Sequence, residues 1–173
     1  MEKNLDVFSD AIKAFADRRI KHRVVVIGEG PARCWFEQQL PAAIFLGEVT
    51  GDELGRALAS GDVLFNPSTT EAFGNVTLEA MACALPVIAA VASGTTNLVR
   101  DGETGTLVDA ADIDGFGDAL EAYARDAALR RRHGKAGLAF ARTMDWDRIN
   151  AAVIRIYERA IVKRERLTRL TGA

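Results

Sequence analysis

Short runs of consecutive apolar residues alternate along the chain with stretches in which apolar residues recur every three or four positions. Leu5, Phe8, Ile12 and Phe15 put one apolar face on a first helix. The β-branched run at residues 23–28 reads as a strand ending in Gly28-Glu29-Gly30-Pro31, and Pro31 suits the first turn of the next helix. Further strands are predicted at residues 43–47, 63–65, 86–90 and 106–108, with a helix from about Asp52 to Ser60 and a turn at residues 101–105. From Ile113 onward the pattern is helical, and a C-terminal helix over residues 145–170 carries Trp146, Ile149, Val153, Tyr157 and Ile161 at helical spacing. Short, fully apolar strands separated by helices describe a parallel sheet covered on both faces, so the predicted class is α/β, doubly wound. Ligands of such sheets sit beyond the carboxyl ends of the strands. That points to three loops, at residues 28–30, 47–50 and 66–75.

Composition narrows the picture. With 173 residues, 49% of them apolar, the chain suits a single domain with one packed core. A net charge of −2 gives no reason to expect a nucleic-acid partner. Lys163, Arg164, Glu165, Arg166 and Arg169 read as a solvated helix face. Cys34 and Cys83 stand apart without histidine companions, which implies neither a disulfide framework nor a metal site and suits a cytoplasmic protein. No apolar run approaches the roughly 20 residues of a membrane span, while contact with a membrane surface stays open.

The chemistry concentrates between Pro67 and Ala90, where Glu71 and Glu79 flank Phe73-Gly74-Asn75-Val76. Gly74-Asn75 suits a helix start, and the apolar residues that follow predict a largely covered helix with Glu79 about one turn in. Burying that carboxylate without partners costs several kcal/mol. A capping-box glutamate belongs one or two positions earlier, so its partners are either a neighbouring basic group, backbone amides, or a ligand. Free N–H groups at Asn75 and Val76, backed by the helix dipole, suit a phosphate or diphosphate. Carboxylates on either side would repel that anion unless they accept hydrogen bonds from diols. A sugar joined to a nucleoside through a diphosphate offers a diol at each end and an anion between.

Two rival sites on the same architecture fare worse. The third glycine of a dinucleotide fingerprint would fall at Arg33, too bulky for close helix packing. A phosphate-accepting receiver needs an aspartate at the carboxyl end of a strand, and Asp62 precedes its strand.

The stretch Pro67-Ser68-Thr69-Thr70-Glu71-Ala72-Phe73-Gly74-Asn75-Val76-Thr77-Leu78-Glu79 resembles the E-x7-E signature of retaining glycosyltransferases of family 4, the glycosyl transferases group 1. Flanking segments agree: residues 24–31 resemble the family's strand with G-x-G-P, Phe45-Leu46-Gly47 its F-x-G, residues 85–89 its G-x-P-V-I-A, and residues 101–108 its D-G-x-T-G-x-L-V. The resemblance implies one Rossmann-like half of a GT-B fold, the donor-binding half, without an acceptor domain. It implies that Glu71 contacts the transferred sugar together with Phe73, Gly74 and Asn75, and that the amides of Asn75 and Val76 hold the diphosphate. By the same likeness Glu79 binds the ribose, Glu48, Val49 and Thr50 pack on the base, and Lys3 neutralises the diphosphate as a catalytic partner of Glu71. It implies no cofactor and no metal, a GDP- or UDP-sugar donor, and a sugar or lipid acceptor. The chain departs from the family at Ala84, where glycine is usual, at residues 92–97, and in having no counterpart of the first strand and its arginine ahead of Lys3.

The expected function is therefore nucleotide-sugar binding with little transfer by the isolated domain, completed by an acceptor domain or partner subunit, with peripheral membrane contact through the full enzyme. The alternatives are a sugar-nucleotide epimerase-like half, disfavoured because His22 and His133 lie away from the motif, and a non-catalytic assembly module. The stripe around Trp146 and Tyr157 either faces the acceptor domain or packs on its own sheet.

Overall fold

The computed structural model describes residues 3–92 and 94–171, with side chains as far as Arg164. In chain order the elements are α1 (Leu5–Asp17), β1 (Val25–Ile27), α2 (Arg33–Gln39), β2 (Ile44–Gly47), α3 (Gly51–Ala59), β3 (Leu64–Asn66), α4 (Asn75–Ala82), β4 (Val87–Ala90), β5 (Gly105–Val108), α5 (Ile113–Arg125), α6 (Ala127–Ala141) and α7 (Trp146–Thr171). Every predicted strand is present within a residue or two. Pro31 lies in the turn ahead of α2 rather than in its first turn, because Ala32 is the N-cap.

All strand pairings are parallel. The strands form two sets, β1 with β2 and the order β3-β4-β5, instead of one continuous sheet. Among the described residues no strand lies between β1 and β3, and aromatic side chains span that region. Phe8 of α1 stacks on Phe65 of β3 at 4.7 Å between centroids and meets Phe36 of α2 edge-on at 5.3 Å, while Phe36 meets Phe45 of β2 at 5.8 Å.

β4 shows why the fold needs two helical layers. All four of its residues are buried, and because successive side chains point to opposite faces, Ile88 and Ala90 join a cluster with Ala11, Phe116 and Tyr123. Val87 and Ala89 join Leu58, Ala80 and Met81 on the other face. α1 and α5 therefore cover one side and α3 and α4 the other. α5 and α6 start at side-chain caps, Asp112 accepting from the Gly115 amide and Asp126 from those of Ala128 and Leu129. α4 ends in a Schellman turn: the Ala84 amide donates to Met81 and the Leu85 amide to Ala80. That turn sets Ala84 at φ 59°, a left-handed conformation that glycine would adopt at lower cost.

The C-terminal stripe does not pack on its own sheet. Trp146 is 75% and Tyr157 67% exposed, and Val153 and Ile161 are exposed as well. Lys163 and Arg164 are on the surface, as expected of a solvated face; the side chains of Glu165, Arg166 and Arg169 fall outside those described. Among the described residues no helix is long and apolar enough to cross a membrane.

Candidate nucleotide-sugar site

The loop between β3 and α4 starts from buried Pro67 and Ser68 and brings the Glu71 side chain to 10% exposure. Its Oε1 accepts a hydrogen bond from Lys3 Nζ at 2.8 Å. Burial alone would push this carboxyl up, but Lys3 and then the side chains of Ser68 and Asn66 outweigh it and hold it below its ordinary value. Glu71 is thus ionised at neutral pH, with Lys3 still 63% exposed beside it. Two residues that are 68 positions apart meet because the start of α1 lies at the carboxyl ends of the strands.

Asn4 fixes that start. It is the N-cap of α1 at φ 53° and ψ 44°, yet its side chain does not cap the helix. Nδ2 donates instead to Pro67 O at 3.2 Å and to Ala110 O at 3.1 Å, just beyond β3 and β5.

Gly74 is the N-cap of α4 at φ 88°, a left-handed conformation in which an added Cβ would stand 3.1 Å from Leu98 Cδ1. The first helical bond it accepts comes from Leu78. Among the described residues no acceptor takes the amides of Asn75 or Val76, so the positive end of α4, which begins four residues after Glu71, is left unpartnered. Phe73 is half exposed at the same rim.

Glu79 corrects the sequence-based expectation of burial. α4 is covered through Thr77, Ala80 and Met81, while Glu79 is exposed and its carboxylate makes no hydrogen bond or ion pair among the described residues. A helix of eight residues needs only one covered face, so an apolar sequence did not enclose its whole circumference. Residues 48–50 follow β2, with Glu48 and Thr50 exposed, Val49 half buried and Thr50 the N-cap of α3. No hydrogen bond links them to Lys3 or Glu71 among the described residues. Arg33, where a dinucleotide fingerprint would need glycine, pairs with Glu29 and, at 2.8 Å, with Glu37.

The model of the glycosyl transferases group 1 matches residues 1–126. The chain belongs to this family. It is 37% identical over 143 residues to a GDP-mannose-dependent alpha-mannosyltransferase of Mycolicibacterium smegmatis, a match covering 82% of this chain and 37% of that protein. The C-terminal domain of a glycosyl transferase group 1 family protein from Francisella tularensis superposes with a TM-score of 0.73 at 27% identity, covering 82% of this chain and 79% of that one. Anabaena HepE, solved in complex with UDP and glucose, shares the fold with a TM-score of 0.78 at 23% identity over 91% of this chain and 45% of that one. The chain spans less than half the length of the curated relatives most similar to it, from 24% to 43%.

Three contributors to the site were not singled out from the sequence. An asparagine ahead of a helix reads as a helix cap, which hides the use made of Asn4. Thr95 is fully buried and knots the loop after β4, its Oγ1 donating to Ala90 O at 2.6 Å and accepting from the Ala92 amide at 3.1 Å. Gly94 lets that loop press against the Glu71 backbone: an added Cβ would stand 2.6 Å from the Glu71 carbonyl carbon and closer still to its oxygen. Polar residues following a buried strand were the available signal.

Proposed function

We propose that this chain is the donor-binding domain of a retaining glycosyltransferase and takes a GDP- or UDP-sugar across the open N-terminus of α4. The observation that carries the reading is the Lys3–Glu71 pair, 2.8 Å apart, at the loop that leads into the two free amides at the start of α4. In that reading the amides of Asn75 and Val76 hold the diphosphate and Lys3 leaves Glu71 to neutralise it as the leaving group departs. Glu71, released from Lys3 and already ionised, accepts hydrogen bonds from hydroxyls of the transferred sugar at the rim formed by Phe73, Gly74 and Asn75. Glu79 is free in solvent to accept from the ribose diol, and Glu48, Val49 and Thr50 meet the base.

Transfer needs both reactants held together, so the isolated chain binds donor and transfers poorly. The acceptor, a sugar or a lipid, belongs to another domain or a partner subunit. The exposed stripe of α7 suits such a neighbour. Work on the cytoplasmic side, with membrane contact through the full enzyme, fits the same reading.

Calorimetric titration with GDP, UDP, ADP and their sugar conjugates tests it, repeated with Glu79→Gln. Saturable binding of one base, weakened by the substitution, is the expected result. A folded chain that binds none at millimolar ligand overturns the proposal and favours an assembly role.

A further inference from the structure

Asn4 occupies a backbone conformation that few residues accept. At φ 53° and ψ 44° it is left-handed, and apart from glycine, asparagine and aspartate adopt this region at least cost. Of these, only asparagine also has an NH₂ group with two protons to donate. Both have acceptors within reach, the carbonyls of Pro67 and Ala110. Glycine would keep the turn and lose both bonds; aspartate would face two carbonyl oxygens with a carboxylate that donates nothing. The backbone carbonyl of Asn4 meanwhile accepts the first helical bond, from the Phe8 amide at 3.0 Å.

What Asn4 connects matters more than its own bonds. Pro67 begins the loop that carries Glu71, and Lys3 is the residue before Asn4. The Asn4–Pro67 bond and the Lys3–Glu71 bond thus join the same two segments at neighbouring points, and the bond to Ala110 fixes both to the end of β5. A lysine side chain has many rotamers, and holding its ammonium on one oxygen depends on where its backbone is anchored.

We propose that Asn4 is a positioning residue that sets the Lys3 ammonium against Glu71 and so assembles the anion-facing side of the site before any ligand arrives. The proposal extends the donor-site reading and rests on it only for its consequence in binding. With Asn4 lost, the backbone that carries Lys3 loses its bonds to Pro67 and Ala110, and Lys3 spends most of its time in solvent.

The test uses Asn4→Gly, which keeps the left-handed turn, and Asn4→Ala, which removes the same bonds in case the first variant is too loose. Carboxyl-carbon NMR of Glu71 in the ligand-free chain reads the pairing directly. Both variants are expected to raise the Glu71 pKa as far as Lys3→Met does, and adding Lys3→Met to either should then change little. Titration with UDP and GDP should show affinity reduced between about tenfold and a hundredfold, the effect of losing one charge-assisted contact. An unchanged Glu71 pKa in folded Asn4→Gly, or a Lys3→Met effect that persists undiminished in that background, overturns the proposal. If the NMR shift appears while the parent chain binds no nucleotide, the positioning role stands and the donor-site reading fails.

Discussion

Replacing Gly94 by alanine probes the site through a backbone approach to Glu71 that leaves no room for a side chain. The new Cβ would lie 2.6 Å from the Glu71 carbonyl carbon and 2.8 Å from Glu71 Cβ, where ordinary van der Waals contact begins at 3.4 Å. The Glu71 carbonyl oxygen would be closer still, so one of the two loops must retreat by ~1 Å or more. The neighbour is backbone and cannot rotate away, and the opposite loop is tied by Thr95 to Ala90 and Ala92. Overpacking of this kind costs about 1–3 kcal/mol, which lowers the melting temperature of a domain this size by roughly 2–12 °C. A shift of ~1 Å at Glu71 also breaks the 2.8 Å contact with Lys3, so the Glu71 pKa should rise toward its ordinary value. Thermal melts followed by circular dichroism and NMR titration of Glu71 read the two effects. Gly55→Ala is the control: nothing lies within 4 Å of its added Cβ, and alanine favours the helix α3. A Gly94→Ala chain that melts within about 1 °C of the parent and keeps its Glu71 pKa would refute the reasoning.

Three other outcomes are expected. Ala84→Gly should stabilise the chain by about 1 kcal/mol in urea unfolding, because it relieves the left-handed strain at the end of α4 and the Schellman bonds remain. Tyr123→Phe should cost about 1–3 kcal/mol, since the fully buried hydroxyl lies 2.7 Å from His133 Nδ1 and 3.1 Å from Thr106 Oγ1, and its removal strands both partners. Stability should also fall in two stages on acidification. Burial and the charge of Arg132 hold the folded His133 below its ordinary 6.5, so the unfolded state takes up that proton first and stability declines below about pH 6.5. Glu71, lowered from 4.5, gives stability that is complete above that value and lost as pH falls through the lower folded one; Lys3→Met should flatten this second stage.

The alternation of apolar runs and helical spacing carried most of the fold into view. Strands such as residues 87–90 are apolar because both of their faces are covered, and that is a property a sequence displays openly. The division of the strands into two sets was hidden, because it depends on what lies between β1 and β3 rather than on any residue within them. At the site, the spacing of Glu71, Gly74 and Asn75 identified the loop and the helix start. The exposure of Glu79 was misjudged because hydrophobicity along α4 reports how apolar the helix is, not which arc another layer covers. Asn4 and Gly94 were illegible for a different reason: both act on backbone atoms distant in sequence, and neither their own identity nor that of their neighbours specifies such a meeting.

Because β1 and β2 exchange backbone hydrogen bonds with each other and not with β3, the β1–α2–β2 lobe meets the rest through an apolar cluster in which Phe8, Ile12 and Phe65 pack with Phe36, Leu40 and Phe45. Dispersion and burial between rings give way more gradually than a ladder of hydrogen bonds, so this lobe is the natural unit of subglobal opening, and its amides should exchange with deuterium before those of β4. Residues 48–50 ride on it and Glu71 does not. A nucleotide touching both would act as a rivet between two independently opening parts, and its arrival would be registered as slowed exchange at Val26 and Phe45, remote from the diphosphate.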